Sequence, residues 1–480
     1  MRARGALACA PAAAQILAMD GSRPDNPYLA GNFAPIRSED DYALEVAGEF
    51  PADLAGAFYR NGPDPQFPPR DAYHWFAGDG MVHAFFVEGG KVRYRNRWVR
   101  TPKWMTEHAA GHSLFGIFGN PLTSDPSVIG KDSGVANTSI LWHGGRLLAL
   151  EEGHKPFRMD PRSLESLGYA EDYRGKVTAH PKIDPETGEM VWFAYAAGEL
   201  PLNDVMAFGI TGADGQVKRR DTFQAPFAAM VHDFMVTRRH ALFPVLPLTA
   251  SLERAMRGQP PLAWEPDKGS HIGVMARDAS VDTIRWFATD PVFVFHVMNA
   301  WEEGERIIAD VMEFPVAPLF PTLEGKPAEG GPAHLTRWTF DLASASNQVK
   351  RERIDDLAGE FPRLDPRRAG LDYRHGWFAG NTRGTDPARF DTLAHFDRTS
   401  GRRTDYLFAE GDTPGEPVFI PRAPDSPEGD GWVAAIVYRG AEDRSDFVIF
   451  EARDMAAGPI GVAKLPRRIP YGFHGDWVAA

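Results

Sequence analysis

The chain reads as an all-β protein, a propeller or a large sandwich, on three observations. Short strand-and-turn units follow one another over nearly its whole length, helical periodicity is brief, and four histidines recur at intervals near a common unit. Met81 to Val99 reads as strand, Gly89-Gly90 turn, strand, and Leu141 to Leu150 repeats the device around Gly144-Gly145. Asp184 to Gly188, Asp214-Gly215 and Asp397 to Gly401 add turns beside short runs such as VWFAY, LAHF and DYLF. Forty-seven glycines and 40 prolines suit that many turns. Helical spacing is confined to Thr249–Arg257 and Thr106–Phe118. Strands without alternating helices argue against a parallel sheet, and the propeller is favoured although no self-similar repeat stands out.

The four histidines are His180 in TAHPK, His232 in MVHDF, His296 in VFHVMN and His474 in GFHGDW, each among apolar or small residues as on a buried strand. Their gaps of 52, 64 and 178 residues are close to one, one and three multiples of a blade of roughly 50 to 65 residues. Strands from different blades meeting on one axis would each offer an imidazole. Neutral imidazole suits iron, copper, zinc or nickel, and four of them leave a +2 ion uncompensated. Carboxylates accepting the other ring N–H would orient the rings and offset that charge. A closed tetrahedral site would be structural, whereas an octahedral ion would keep two positions open. The chain holds 15 histidines, so this set stands against a background of packing and surface residues.

Composition bounds the partners. With 480 residues and 43% hydrophobic content the chain can bury a large core. A net charge of -13 without a block of Lys and Arg argues against nucleic acid and for a small-molecule substrate. The only cysteine, Cys9, provides neither a disulfide framework nor a thiolate site, which fits a reducing, cytoplasmic setting. Residues 1–24 read as a disordered or misassigned leader: a basic start and an Ala-rich stretch broken by Pro11 and Gln15, with Met19 as an alternative start. Residues 25–480 read as one domain. No run of 18 apolar residues exists, so stable membrane insertion is not expected.

Several motifs stand in a recognisable order: Phe58-Tyr-Arg-Asn-Gly-Pro-Asp-Pro65, HWFAGDGMVHAF from His74, Ala136-Asn-Thr138, LLALEEGHKPFRMDPRSLESLG from Leu147, EFPRLDPR from Glu360, GEPVFIPR from Gly415 and the terminal PYGFHGDWV. Together they resemble the carotenoid cleavage oxygenase family. The resemblance implies a seven-bladed β-propeller under a cap of loops and short helices, with a non-haem Fe(II) on its axis and O2 as co-substrate. It implies His180, His232, His296 and His474 as the iron ligands, with Glu152, Glu360 and Glu416 on three of the four rings. His74 and His83 lie in a family motif but have no ligand role there.

Val92 to Trp104 and Lys131 resemble the stilbene-cleaving branch, which implies cleavage of the central C=C bond of a 4-hydroxystilbene such as lignostilbene or resveratrol, giving two aldehydes. Carried over by motif, Phe58, Trp98 and Lys131 line the pocket, and Thr138 stands beside the open coordination position. Trp98 departs from that branch, where a tyrosine holds the substrate hydroxyl: an indole donates a hydrogen bond but accepts no proton. Lys131 can still bind a phenolate. The branch also implies a homodimer. One alternative keeps the iron and takes an apocarotenoid, for which the mixed apolar and charged stretch Leu242–Leu262 is equivocal. Another is a non-catalytic or hydrolytic propeller, against which the imidazoles speak, since calcium takes oxygen ligands.

Overall fold

Paired glycines set the hairpins. Gly89 and Gly90 have φ of 54° and 75°, and Gly144 and Gly145 have 56° and 73°. Both central positions of such a turn need positive φ, which gives the twist that joins antiparallel strands closely. The strands on either side, Gly80–Glu88 with Lys91–Trp98 and Ser139–His143 with Arg146–Leu150, fall where the sequence puts them. The structure, a computed structural model, describes residues 26–70, 72–384 and 389–480. The expected leader at 1–24 lies outside the described residues.

The strands form seven antiparallel blades. Blade I carries Gly56–Pro63, Gly80–Glu88, Lys91–Trp98 and Asp41–Ala43, with the C-terminal Gly475–Ala479 along its inner edge. Blade II spans Ser139 to Tyr169, blade III Lys182 to Gln224, and blade IV is built on Met235–Val236, His240–Val245, Ser270–Ala276 and Arg285–Thr289. Blades V and VI form one seven-stranded sheet through a shared strand, Lys350–Leu364. Residues 350–358 pair with His334–Asp341, and 358–364 pair with His375–Asn381. The strand breaks register between Glu360 and Arg363, where Phe361 has φ 55°, and there it leaves one blade for the next. Blade VII runs from Thr413 to Lys464 and takes the early strand Glu45–Gly48 at its outer edge. Strands from the two ends of the chain thus complete adjacent blades and close the ring.

Between blades the core is aromatic. Phe58 and Phe85 of blade I pack on Phe447 of blade VII, with centroids 5.2 and 4.5 Å away, beside Val418 and Trp432. Burying a side chain of this size contributes about 1.5–3 kcal/mol.

The cap lies between strands of the blades. Its main helix, Pro102–Ala110, starts with Thr101 accepting from Trp104 N and Pro102 at the first position, where the missing N–H costs nothing. It ends at Gly111, φ 75°, so the helical spacing expected to Phe118 is cut short by a left-handed C-cap. The buried Lys103 ties the helix to blade I, 2.6 Å from Asp79 and 2.9 Å from Glu107. Glu107 also accepts from Leu114 N and Phe115 N, which fixes the loop that follows. The second helix is Leu252–Met256, within the expected stretch. Leu242, Leu246 and Leu248 before it are core residues, so the apolar character of that stretch is largely internal. No described helix is long and apolar enough to cross a membrane.

Candidate metal centre

The seven blades each send one residue to the axis. His474 comes from blade I, His180 from blade III, His232 from blade IV and His296 from blade V, each in or just before the blade's innermost strand. Glu152 follows the second strand of blade II, Glu360 lies on the inner strand of blade VI, and Glu416 follows the innermost strand segment of blade VII. The histidine gaps therefore do count blades: III to IV, IV to V, and V through VI and VII back to I.

One ligand nitrogen from each histidine lies within 4.8 Å of the other three. Nε2 of His180 is 3.0 Å from that of His232, His232 is 3.2 Å from His296, and His296 is 3.1 Å from His474. Three rings have their other nitrogen on a carboxylate: His232 Nδ1 on Glu152, His296 Nδ1 on Glu360, and His474 Nδ1 on Glu416 at 2.8 Å. Those contacts assign the proton to Nδ1 and turn the Nε2 lone pairs toward one another. Lone pairs at such separations repel unless a cation lies between them. Imidazoles at right angles around an ion with bonds near 2.1 Å stand about 3.0 Å apart, against about 3.4 Å around a tetrahedral one. The donor set fits a metal ion, and its spacing suits one with further positions open.

Burial, reinforced by the neighbouring imidazoles, holds His180 and His296 well below the usual histidine range. Burial also lowers His474, against the pull of Glu416. The lowered values keep His180, His296 and His474 neutral, as ligands must be. The carboxylates differ. Burial, with Asp233 and Glu416 nearby, pushes Glu360 well up, whereas burial of Glu416 is outweighed by Arg363, His474 and the Gly475 N–H, which bring it below the usual range. A divalent cation on the axis favours the ionised form of each.

The quoted motifs brace this centre. Asn61 Nδ2 donates to Ala136 O and Ser139 O, at 2.8 and 3.0 Å. Asn137 Nδ2 donates to Phe76 O and Gly78 O. Gly80 admits the Ala136 carbonyl so closely that a Cβ would stand 2.4 Å from it. Thr138 follows, its carbonyl accepting from His474 N at 3.2 Å and its Oγ1 donating to Asn137 Oδ1, and it lines the cavity described next. His74 accepts from Phe76 N and His83 meets Tyr94 OH at 2.8 Å, both as structural residues.

A cavity of about 1030 Å³ reaches His232, His296 and His474 from the cap side. Aromatic rings wall it, among them Trp75, Phe118, Phe295, Phe361 and Phe473. Lys131 is part of its wall and is exposed. Leu122, Ile129 and Met256 also line it, with 63%, 64% and 71% of their surface exposed, so the entrance is apolar. Two expected pocket residues lie elsewhere. Phe58 is 1% exposed within the cluster between blades I and VII, because its strand turns that ring to the neighbouring blade. Trp98 closes the last strand of its hairpin and donates from Nε1 to Asp64 O at 2.8 Å, with its rings beside Trp104. Neither lines the cavity.

Two further residues belong to the centre. Tyr195 OH donates to Glu152 Oε2, the oxygen not used by His232. Arg363 stands 3.5 Å from Glu416 and 3.9 Å from Asp476. Arg363 sits inside the EFPRLDPR motif, where its charge was legible, while Tyr195 ends a run that reads only as a strand.

A propeller whose axis carries four inward imidazoles beneath an aromatic-walled cavity has the build of an enzyme that could hold a metal ion at the inner end of its substrate pocket. The family profile described as Retinal pigment epithelial membrane protein matches residues 33–479, and the chain belongs to this family, that of the carotenoid cleavage oxygenases. An isoeugenol monooxygenase of Pseudomonas putida is 42% identical over 94% of this chain and 98% of its own length. Lignostilbene-alpha,beta-dioxygenase isozyme III of Sphingomonas paucimobilis is 39% identical over 95% and 98%. The crystal structure of Pseudomonas brassicacearum lignostilbene dioxygenase superposes with a TM-score of 0.91 at 35% identity, over 95% of this chain and 99% of that one.

Proposed function

We propose that this oxygenase is Fe(II)-dependent and cleaves the carbon–carbon double bond of a small aromatic alkene carrying a para-hydroxyl group, a 4-hydroxystilbene first among them. The reading rests on one observation: an aromatic-walled cavity that ends on three of the four histidines and has Lys131 in its wall. His180, His232, His296 and His474 would hold the iron, which when bound would supply the activation of O2 needed to split the double bond into two carbonyl products. Glu152, Glu360 and Glu416 hold three rings with Nε2 directed inward. Phe295, Phe361 and Phe473 stack against a flat substrate and exclude water from the reacting bond. Lys131 binds the para-hydroxyl and stabilises its deprotonated form, which moves electron density into the alkene. Thr138, which lines the cavity and accepts from His474 N through its carbonyl, would flank the end of the pocket where O2 reacts.

A second reading, a phenylpropene in place of a stilbene, is favoured by the isoeugenol monooxygenase relative, which exceeds the lignostilbene relative in identity. Mass spectrometry of the products from lignostilbene, resveratrol, isoeugenol, a non-phenolic stilbene and an apocarotenal tests both. Cleavage of the phenolic stilbenes supports the first reading, preference for isoeugenol the second, and turnover of the apocarotenal alone overturns the phenolic assignment.

A further inference from the structure

His180 is held differently from the other three. Among the described residues no carboxylate meets its ring, it is only partly buried, and its backbone N–H bonds within its own turn, to Thr178 Oγ1 at 3.0 Å. Two residues on, Lys182 opens the inner strand of blade III, and its Nζ lies 2.7 Å from Asp233 Oδ1 in blade IV. Asp233 follows His232 directly and is almost wholly buried. Its Oδ1 also accepts from Phe234 N at 2.7 Å, and its Oδ2 accepts from Val297 N at 2.9 Å, the residue after His296 in blade V. One carboxylate therefore ties three ligand-bearing segments, each within two residues of its histidine.

We propose that the Lys182–Asp233 pair positions His180, taking across the blade boundary the part that a carboxylate plays for the other three rings. The inference rests on the iron reading above. A covalent path of two residues joins Lys182 to His180, so anchoring the ammonium fixes where that segment enters the axis. Asp233, held by two backbone N–H groups, is a rigid anchor, and the same carboxylate registers His232 and His296 against it. Carboxylates behind ligand rings govern metal affinity by about 10- to 100-fold, and an anchor replacing one acts on the same scale. Lys182 and Asp233 are positioning residues; neither lines the substrate cavity itself.

Electrostatics alone makes a different forecast, which allows a decision. Removing an ammonium near the axis would tighten binding of a cation, and removing a carboxylate would loosen it. Positioning requires that both changes loosen it. The experiment measures Fe(II) affinity anaerobically by chelator competition in the full-length protein and in Lys182→Met, Lys182→Arg and Asp233→Asn, with electron paramagnetic resonance of the nitrosyl adduct as a record of coordination. The expected result is a loss of about 10- to 100-fold in Lys182→Met and Asp233→Asn, substantial recovery in Lys182→Arg, and an altered nitrosyl spectrum in Lys182→Met. In a His180→Ala background Lys182→Met should add little, whereas with Glu416→Gln its effect should add in full. Tighter iron in Lys182→Met, or full additivity with His180→Ala, overturns the proposal even if Asp233→Asn fails to fold. Wild-type protein that takes up no Fe(II) overturns the iron reading itself, and wild-type affinity in Lys182→Met sinks only the positioning role.

Discussion

The two ends of the cavity are built on opposite principles. At the axis every blade supplies one residue, three imidazoles are paired with carboxylates of which Glu360 and Glu416 are buried, and the centre has little room to relax. At the entrance the wall comes from cap segments between strands, with exposed Leu122, Ile129 and Met256 and an exposed Lys131. Rigid strand ends meeting from all sides over-determine a metal site, while loops leave the substrate end free to vary. The contrast places the tight geometric tolerance at the histidines and the looser one at the entrance.

The largest test of that contrast is at the axis. His296→Ala should abolish turnover and weaken iron binding more than any change behind the rings, with metal content read by elemental analysis; retained iron at wild-type occupancy would mean that the ring is not a ligand. Lys103→Met strikes a buried polar anchor of the cap and leaves Asp79 and Glu107 buried without their cation, at a cost of about 3–5 kcal/mol in denaturant unfolding. A smaller loss would show that the cap is held mainly by its apolar contacts. Glu416→Gln should keep the fold and weaken iron by about 10- to 100-fold, more than any single change at the entrance.

Toward the entrance the effects shrink. Lys131→Met should lower kcat/KM on a 4-hydroxystilbene by about tenfold and leave the corresponding 4-methoxystilbene unchanged, since a charged hydrogen bond at an exposed site lies at the low end of its range. Equal losses on both substrates would remove the lysine from recognition of the hydroxyl. Trp98→Phe should leave the ranking of substrates intact and lower stability by about 1 kcal/mol, the value of its bond to Asp64 O. A changed ranking would return Trp98 to the pocket.

Much of the fold and the axis was legible because its signals are local. Gly89-Gly90 and Gly144-Gly145 name their hairpins, since few other residues take two positive φ angles in succession. The histidine gaps reflect blade size, and the family resemblance singles out Glu152, Glu360 and Glu416, while which ring each one meets is seen only in the structure. The helix end at Gly111 was also written in the chain, in a glycine that the apolar spacing to Phe118 overrode. Asp233 and Lys182 were less visible. An acid after His232 and a lysine after His180 signify a joint only once blades III and IV are side by side.

Phe58 and Trp98 mark the limit. Both stand in strands whose motifs match, yet the strand holding Phe58 is buried along seven of its eight residues. Alternation of apolar and polar residues tells which face of a strand looks inward only when one face meets water. A strand buried on both faces carries no such mark, and the packing of blade I on blade VII decides that Phe58 faces the neighbouring blade. By itself the sequence determined the hairpins, the all-β class and the four histidines, because turn conformation and ligand chemistry depend on residues close in the chain. Tertiary structure alone decided which side chains reach the cavity and which buried charges bind the blades together, because those depend on surfaces that meet only when the ring closes.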